Sequence, residues 1–296
     1  MSLVDVARKV IFNPQIRELL LRAFENASVD PMGANLPNTP FTKLVQFQIN
    51  QCGSADKLKA RGFQVGEPFT GDIEHAKVLF VSSNPAYDQN EDSPVYHAED
   101  DYIEMPKYDF ATRKRTSGKA VEYKNNEADT QAMLDNFFKI RMTRKPLING
   151  DTAPVGYWTN ARNFAYMLKP GVPFALTEVV QYRSSHEYGM TEALSTCWPY
   201  AEEVIKRSPA KVIVINKAPV LNMFEEYKLL GHPQQEPEQS QPYGKNNRTS
   251  TINLWQETIG GKTRLIINTR FGQTMPYNAY FCTGSQILKE IRDVLK

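Results

Sequence analysis

Residues 76–88 read AKVLFVSSNPAYD. Lys77–Ser82 is an apolar, β-branched run of the length and character of a buried strand. It is stopped by Ser82-Ser83-Asn84-Pro85-Ala86, a sequence that forces a sharp turn where a parallel strand would finish. In open α/β sheets ligands bind outside the carboxyl ends of the strands. That rule puts Asn84 at the mouth of a site, its amide held by the turn and suited to orienting one water molecule.

Three further apolar runs read as strands: Phe174–Val180, Ala210–Ile215 and Arg264–Asn268. Helical spacing predicts helices over residues 5–28, 41–60, 129–141, 157–168, 191–207, 218–230 and 286–295. Residues 31–40 are a turn-rich break. Residues 86–130 are polar and read as a long excursion off the core, of the kind that is either functional or disordered. Residues 231–250, rich in Gln, Pro and Asn, read as another polar connection. Strands alternating with helices argue for a parallel sheet with helices on both faces, capped by the N-terminal helices.

The 296 residues are 41% hydrophobic and 23% charged, ordinary globular composition, and the formal net charge of +2 announces no nucleic-acid partner. Local clusters do suggest one: Arg113-Lys114-Arg115 with Lys119, then Lys139, Arg141, Arg144 and Lys145, then Lys262, Arg264 and Arg270. Each cluster reads equally as solvated surface. No apolar run reaches membrane-spanning length, and the opening MSLVDVARKVIF is too polar for a secretory signal. Cys52, Cys197 and Cys282 are scattered and odd in number, which argues against a disulfide framework and for a reducing, cytoplasmic setting. No Cys/His set has zinc spacing, and no Walker loop or Gly-x-Gly-x-x-Gly follows a strand. No metal and no cofactor are expected.

Four segments, in order, resemble the uracil-DNA glycosylase superfamily. Ser82-Ser83-Asn84-Pro85-Ala86 is similar to the Gly-x-Asn-Pro-Gly water-holding motif. Glu178-Val179-Val180-Gln181-Tyr182-Arg183 followed by Cys197-Trp198-Pro199-Tyr200 is similar to a strand end and helix start of the iron–sulfur branch. Ala210–Asn216 with Lys217-Ala218 looks like the third strand, and Asn268-Thr269-Arg270-Phe271-Gly272 stands where the last motif falls. The resemblance covers residues 70–296. It implies a single domain over residues 1–296, a three-layer α/β/α sandwich around a short, mainly parallel four-stranded sheet, with an N-terminal helical cap (1–70) and an insertion (98–150). Tyr182 stands in place of one cluster cysteine and the paired N-terminal cysteines are missing, so no iron–sulfur cluster is expected. The histidine of the last motif is also missing, and Glu178 replaces the asparagine that reads the base edge.

The activity this implies is hydrolysis of the N-glycosidic bond of a nucleotide turned out of the DNA stack. Asn84 would place the water, with Asp88 as a carboxylate alternative and Arg270 compensating charge on the departing base. Ser83, Pro85 and Ala86 would line the base site. Tyr96, twelve residues after Asn84, would stack on the base, with His97 the neighbouring option. Arg183, Ser184 and Ser185 would touch phosphates, and Phe271, Met275 and Tyr277 are candidates to fill the vacated stack. Ala86 leaves pyrimidine C5 open. An ionised Glu178 presents acceptors only, repelling uracil O4 and accepting from cytosine N4. Burial favours the neutral carboxyl, which pairs with either base. The expected substrate is therefore a C5-modified cytosine, with defence against phage DNA as a setting. The alternatives are a uracil or deaminated-base repair glycosylase, a catalytically silent DNA-binding member, and an unrelated doubly wound hydrolase in which Asn84-Pro85 is only a turn. Each residue also has a plainer reading, as a turn former, cap, core aromatic or surface charge.

Overall fold

The computed structural model describes residues 2–83, 93–109, 114–142, 157–183, 190–215, 218–244, 246–269 and 279–296. Among them the chain forms helices α1 (Leu3–Ile11), α2 (Pro14–Glu25), α3 (Thr42–Cys52) and α4 (Ala55–Arg61), then strands β1 (Phe63–Gln64), β2 (Phe69–Gly71) and β3 (Val78–Ser82). Strands β4 (Val95–His97), β5 (Tyr102–Met105), β6 (Tyr108–Asp109), β7 (Lys114–Arg115) and β8 (Val121–Lys124) precede helices α5 (Glu127–Met142) and α6 (Tyr157–Leu168). The rest is β9 (Phe174–Glu178), α7 (Met190–Arg207), β10 (Val212–Ile215), α8 (Ala218–Glu226), β11 (Glu238–Gln239), β12 (Thr251–Ile259), β13 (Lys262–Asn268) and α9 (Gln286–Val294). The chain is of the α/β class. It divides into one unit of Met1–Pro68, Asn84–Ile140 and Glu178–Glu203 and another of Phe69–Ser83, Arg141–Thr177 and Val204–Lys296.

In the second unit β3 is buried along its whole length, as its uninterrupted apolar sequence requires. It lies inside a seven-stranded sheet of order β11-β12-β13-β10-β3-β9-β2. The four apolar runs legible in the sequence are neighbours there, β13-β10-β3-β9. β10 runs parallel to both β3 and β13, with Val212 opposite Val78 on one side and Leu265 on the other. The N–H of Lys77 donates to the Pro173 carbonyl at 2.9 Å, so β3 and β9 set out from the same edge. β2, β12 and β11 are antiparallel additions. The expected four-stranded, mainly parallel sheet is thus enlarged to a mixed sheet of seven.

One face of this sheet presents Val78, Phe80, Phe174, Leu176, Val212, Val214, Leu265 and Ile267 to Phe164 and Leu168 of α6 and to Ile287 and Ile291 of α9. Phe164 meets the edge of Phe80 at 6.0 Å between centroids. Burying a side chain of this size stabilises by about 1.5–3 kcal/mol. The other face carries Arg264, which alternates with Leu265 along β13. Its fully buried guanidinium donates to the carbonyls of Ile205, Lys206 and Ser208 at 2.7, 3.1 and 2.8 Å. It thereby satisfies the orphan acceptors at the end of α7.

In the first unit the expected helix over 5–28 is two helices. Asn13 caps α2 by accepting from the N–H groups of Gln15 and Ile16, and Pro14 occupies the first helical position. The expected helix over 41–60 likewise breaks, at Gly53-Ser54, where Ser54 caps α4. Described parts of the polar excursion are folded: β4, β5 and β8 join β1 in an antiparallel sheet of order β1-β4-β5-β8. Phe63, Tyr96, Ile103 and Tyr123 stand opposite one another in register and all four are buried, forming its apolar row. Strands of two to four residues with polar alternate positions leave little trace in a sequence pattern.

Candidate functional site

The ladder fixes where the parallel strands stop. Val81 is opposite Ile215, Ile215 is opposite Asn268, and the N–H of Thr269 donates to the Ile215 carbonyl at 3.1 Å. β3, β10 and β13 therefore finish side by side. Ser82, Ser83 and Thr269 are buried at or just past these ends, and Thr177 is buried one residue before the end of β9. The Ser83 hydroxyl is buried with no hydrogen-bond partner, and so is that of Thr269. On α6, the Asn163 amide oxygen and the Nε and Nη2 of half-buried Arg162 are orphaned in the same way. Buried polar atoms are nearly always paired, so such orphans are the atoms a bound polar molecule or ordered water would satisfy. Desolvation holds the Arg162 pKa below the usual arginine range. The sequence reading selected Ser83 and passed over Asn163, Arg162 and Thr269. Their signal was polar residues in the buried phase of an otherwise apolar helix and at a strand end.

Glu178 ends β9, the neighbour of β3, and is buried. The segment that follows it is held at Gln181 and Tyr182. Gln181, fully buried, donates its amide to the carbonyls of Glu178 (2.7 Å), Val179 (3.3 Å) and Cys197 (3.4 Å). The carbonyl of Gln181 accepts from the Glu67 N–H at 2.6 Å, and a Cβ at Gly66 would lie 2.6 Å from that oxygen, so only glycine fits. The Tyr182 hydroxyl donates to the Val10 carbonyl at 2.7 Å, and its ring meets Phe41 edge-on. Tyr182 thus spends its side chain on packing, and burial raises its pKa well above the usual phenol value. Burial also pushes the Cys197 thiol up to about 12, leaving it protonated and inert.

Two expected roles are corrected. Arg183 is not displayed for a phosphate: it is buried and ion-paired to buried Glu67, whose carboxylate already neutralises it. Tyr96 is not an open stacking platform. It is buried in the apolar row, its hydroxyl donates to Asp101 at 2.7 Å, and its ring meets Phe12 edge-on at 5.6 Å. Desolvation first, then Asp101, raises its pKa. Its neighbour His97 stacks on Tyr102 at 4.8 Å with Nε2 3.3 Å from a Glu104 oxygen. Asn84, Pro85, Ala86, Asp88, Ser184, Ser185, Arg270, Phe271, Met275 and Tyr277 lie outside the described residues.

Among the described residues no three His, Cys, Asp or Glu side chains gather as a metal site, and no helix is long and apolar enough to cross a membrane. No protein-family model and no curated protein matches the chain.

Proposed function

We propose that the chain is a DNA glycosylase acting on an everted pyrimidine, a cytosine modified at C5, as would suit defence against phage carrying such bases. The reading takes the four neighbouring strands β13-β10-β3-β9 as the core of a three-layer, glycosylase-like sandwich. The single observation that carries it is the placement of Glu178. A buried carboxylate, on backbone fixed by the Gln181 amide, stands at the carboxyl end of the strand next to β3, which leads into Asn84-Pro85. In the reaction, water oriented by Asn84 adds its oxygen to C1′ as the C1′–N1 bond breaks. The bond pair leaves on the base, and the proton that the water gives up returns to it. Glu178 accepts from the exocyclic N4 amine, and a base protonated at N3 makes the second contact favourable and departs more readily. Ala86 leaves room at C5. Tyr96 has no part in this reading, and neither does Arg183.

The test is a set of single- and double-stranded oligonucleotides carrying uracil, hypoxanthine, cytosine and C5-modified cytosines, scored for abasic sites. Release of modified cytosine in preference to uracil is the expected result, and robust uracil release with none of modified cytosine overturns the substrate assignment. A second reading, DNA binding without turnover, draws on the burial of Tyr96, the ring expected to hold the base.

A further inference from the structure

Residues 105–119 contain Lys107, Arg113, Lys114, Arg115 and Lys119 against a single acidic residue, Asp109. Within them β6 and β7 pair antiparallel. Tyr108 pairs with Arg115 and Asp109 with Lys114, and the Thr116 N–H donates to the Lys107 carbonyl at 3.1 Å, extending the ladder by one step. The ladder brings Thr116-Ser117-Gly118-Lys119 back alongside Lys107. A Cβ built on Gly118 would lie 3.3 Å from Lys107 Cδ, 3.4 Å from Thr116 Oγ1 and 4.0 Å from Lys107 Nζ. The aliphatic stem of Lys107 therefore lies over the Gly118 backbone and delivers its ammonium next to the residue that precedes Lys119. Thr116, Ser117, Gly118, Lys107 and Lys119 are all exposed. Neither lysine takes part in an ion pair among the described residues, whereas Lys59 pairs with Glu99 in the same unit.

Lys107 and the exposed Lys119 bring two like charges to one turn, and an anion rich in oxygens relieves their repulsion. The two serine/threonine hydroxyls and the bare backbone at Gly118 add neutral donors beside the ammonium groups, the chemistry of a phosphate contact. Lysine is a mobile point charge with no bidentate geometry, so the contact holds backbone without reading bases.

We propose that the β6–β7 hairpin is a phosphate-backbone contact for duplex DNA, gripping the strand independently of sequence through Lys107, Lys119 and the Thr116–Gly118 turn. The proposal rests on the reading of the chain as a DNA-acting protein and names the surface that supplies the salt-dependent part of that binding.

The test compares wild type, Lys107→Gln/Lys119→Gln and Lys107→Arg/Lys119→Arg by fluorescence anisotropy on an unmodified duplex across a salt series, with thermal melts to verify folding. Removing one lysine–phosphate pair makes the dependence of log affinity on log salt shallower by about 0.9, so the glutamine variant loses roughly tenfold less affinity than wild type between about 50 and 200 mM salt. The arginine variant keeps the wild-type slope. An unchanged slope in the glutamine variant overturns the proposal, as does a wild type that binds no duplex. Tighter, equally hairpin-dependent binding of a double-stranded RNA overturns the choice of partner. Base release without the slope change sinks the hairpin and spares the glycosylase reading; the slope change without base release does the reverse.

Discussion

Glu178 and Arg264 are both buried charged residues on strands of one sheet. Three carbonyls at the end of α7 take the Nη donors of Arg264, and desolvation brings its pKa down to about 10. Arg264→Met keeps the volume and strands those acceptors, so it should lower unfolding stability by about 2–4 kcal/mol in denaturant titration, with Arg264→Lys in between. Glu178 lies at the strand's carboxyl end on a backbone fixed by Gln181. Glu178→Asn exchanges an acceptor pair for one donor and one acceptor, and should move the ratio of uracil to modified-cytosine release by roughly ten- to a hundredfold toward uracil, at a discrimination of about 1–3 kcal/mol. An unchanged ranking in the same assay removes its role as reader. At this scale the sequence was a partial guide. The residue types at strand ends were visible, but the partner of Arg183 is Glu67, more than a hundred positions away, and Tyr96 is buried between the strands on either side of it and against Phe12. Spacing from Asn84 contains neither fact.

The elements legible beforehand were those whose pattern is set by burial on both faces. β3, β9, β10 and β13 are apolar runs because helices cover the sheet, and α6 and α7 start or end within a residue of where their periodicity predicts. What escaped was alternating or short. β12 shows buried Ile252, Leu254, Trp255 and Ile259 among polar neighbours, and its hairpin to β13 is announced by Gly260-Gly261, the two-residue turn with both φ positive, at 61° and 74°. The two glycines differ in what surrounds them. A Cβ at Gly260 would lie 2.6 Å from the Lys206 carbonyl oxygen, while one at Gly261 meets nothing within 4 Å. Gly261→Ala should therefore cost about 1 kcal/mol, the left-handed backbone penalty alone, and Gly260→Ala about 2–3 kcal/mol more, read as denaturation midpoints. Equal losses would mean that the turn relaxes away from α7.

Across the whole molecule, buried groups that hold their protons set the alkaline limit. Burial pushes the Cys197 thiol and the Tyr280 phenol up to about 12, and raises Tyr182 and Tyr96 as well. An unfolded chain releases these protons from about pH 9 for the thiol and about pH 10 for the phenols. The folded state then binds more protons than the unfolded one, so stability is complete below pH 9 and drains as pH rises toward 12. Urea midpoints should be level from pH 7 to about 9 and fall above it, and Cys197→Ala should delay the onset toward pH 10. A midpoint that rises through this range would contradict the burial of these side chains.

The two units are stitched from alternating lengths of chain, which changes hands after Pro68, Ser83, Ile140, Thr177 and Glu203. A ribosome delivers the polypeptide in one direction, so the N-terminal unit lacks part of its own substance until residue 203 has emerged. β3, made early, must wait for β10 before it has both its neighbours in the sheet. Vectorial synthesis thus completes neither half until residue 203 is out, and the nascent chain carries unpaired strand edges through most of its translation, when a holding chaperone has the most to protect.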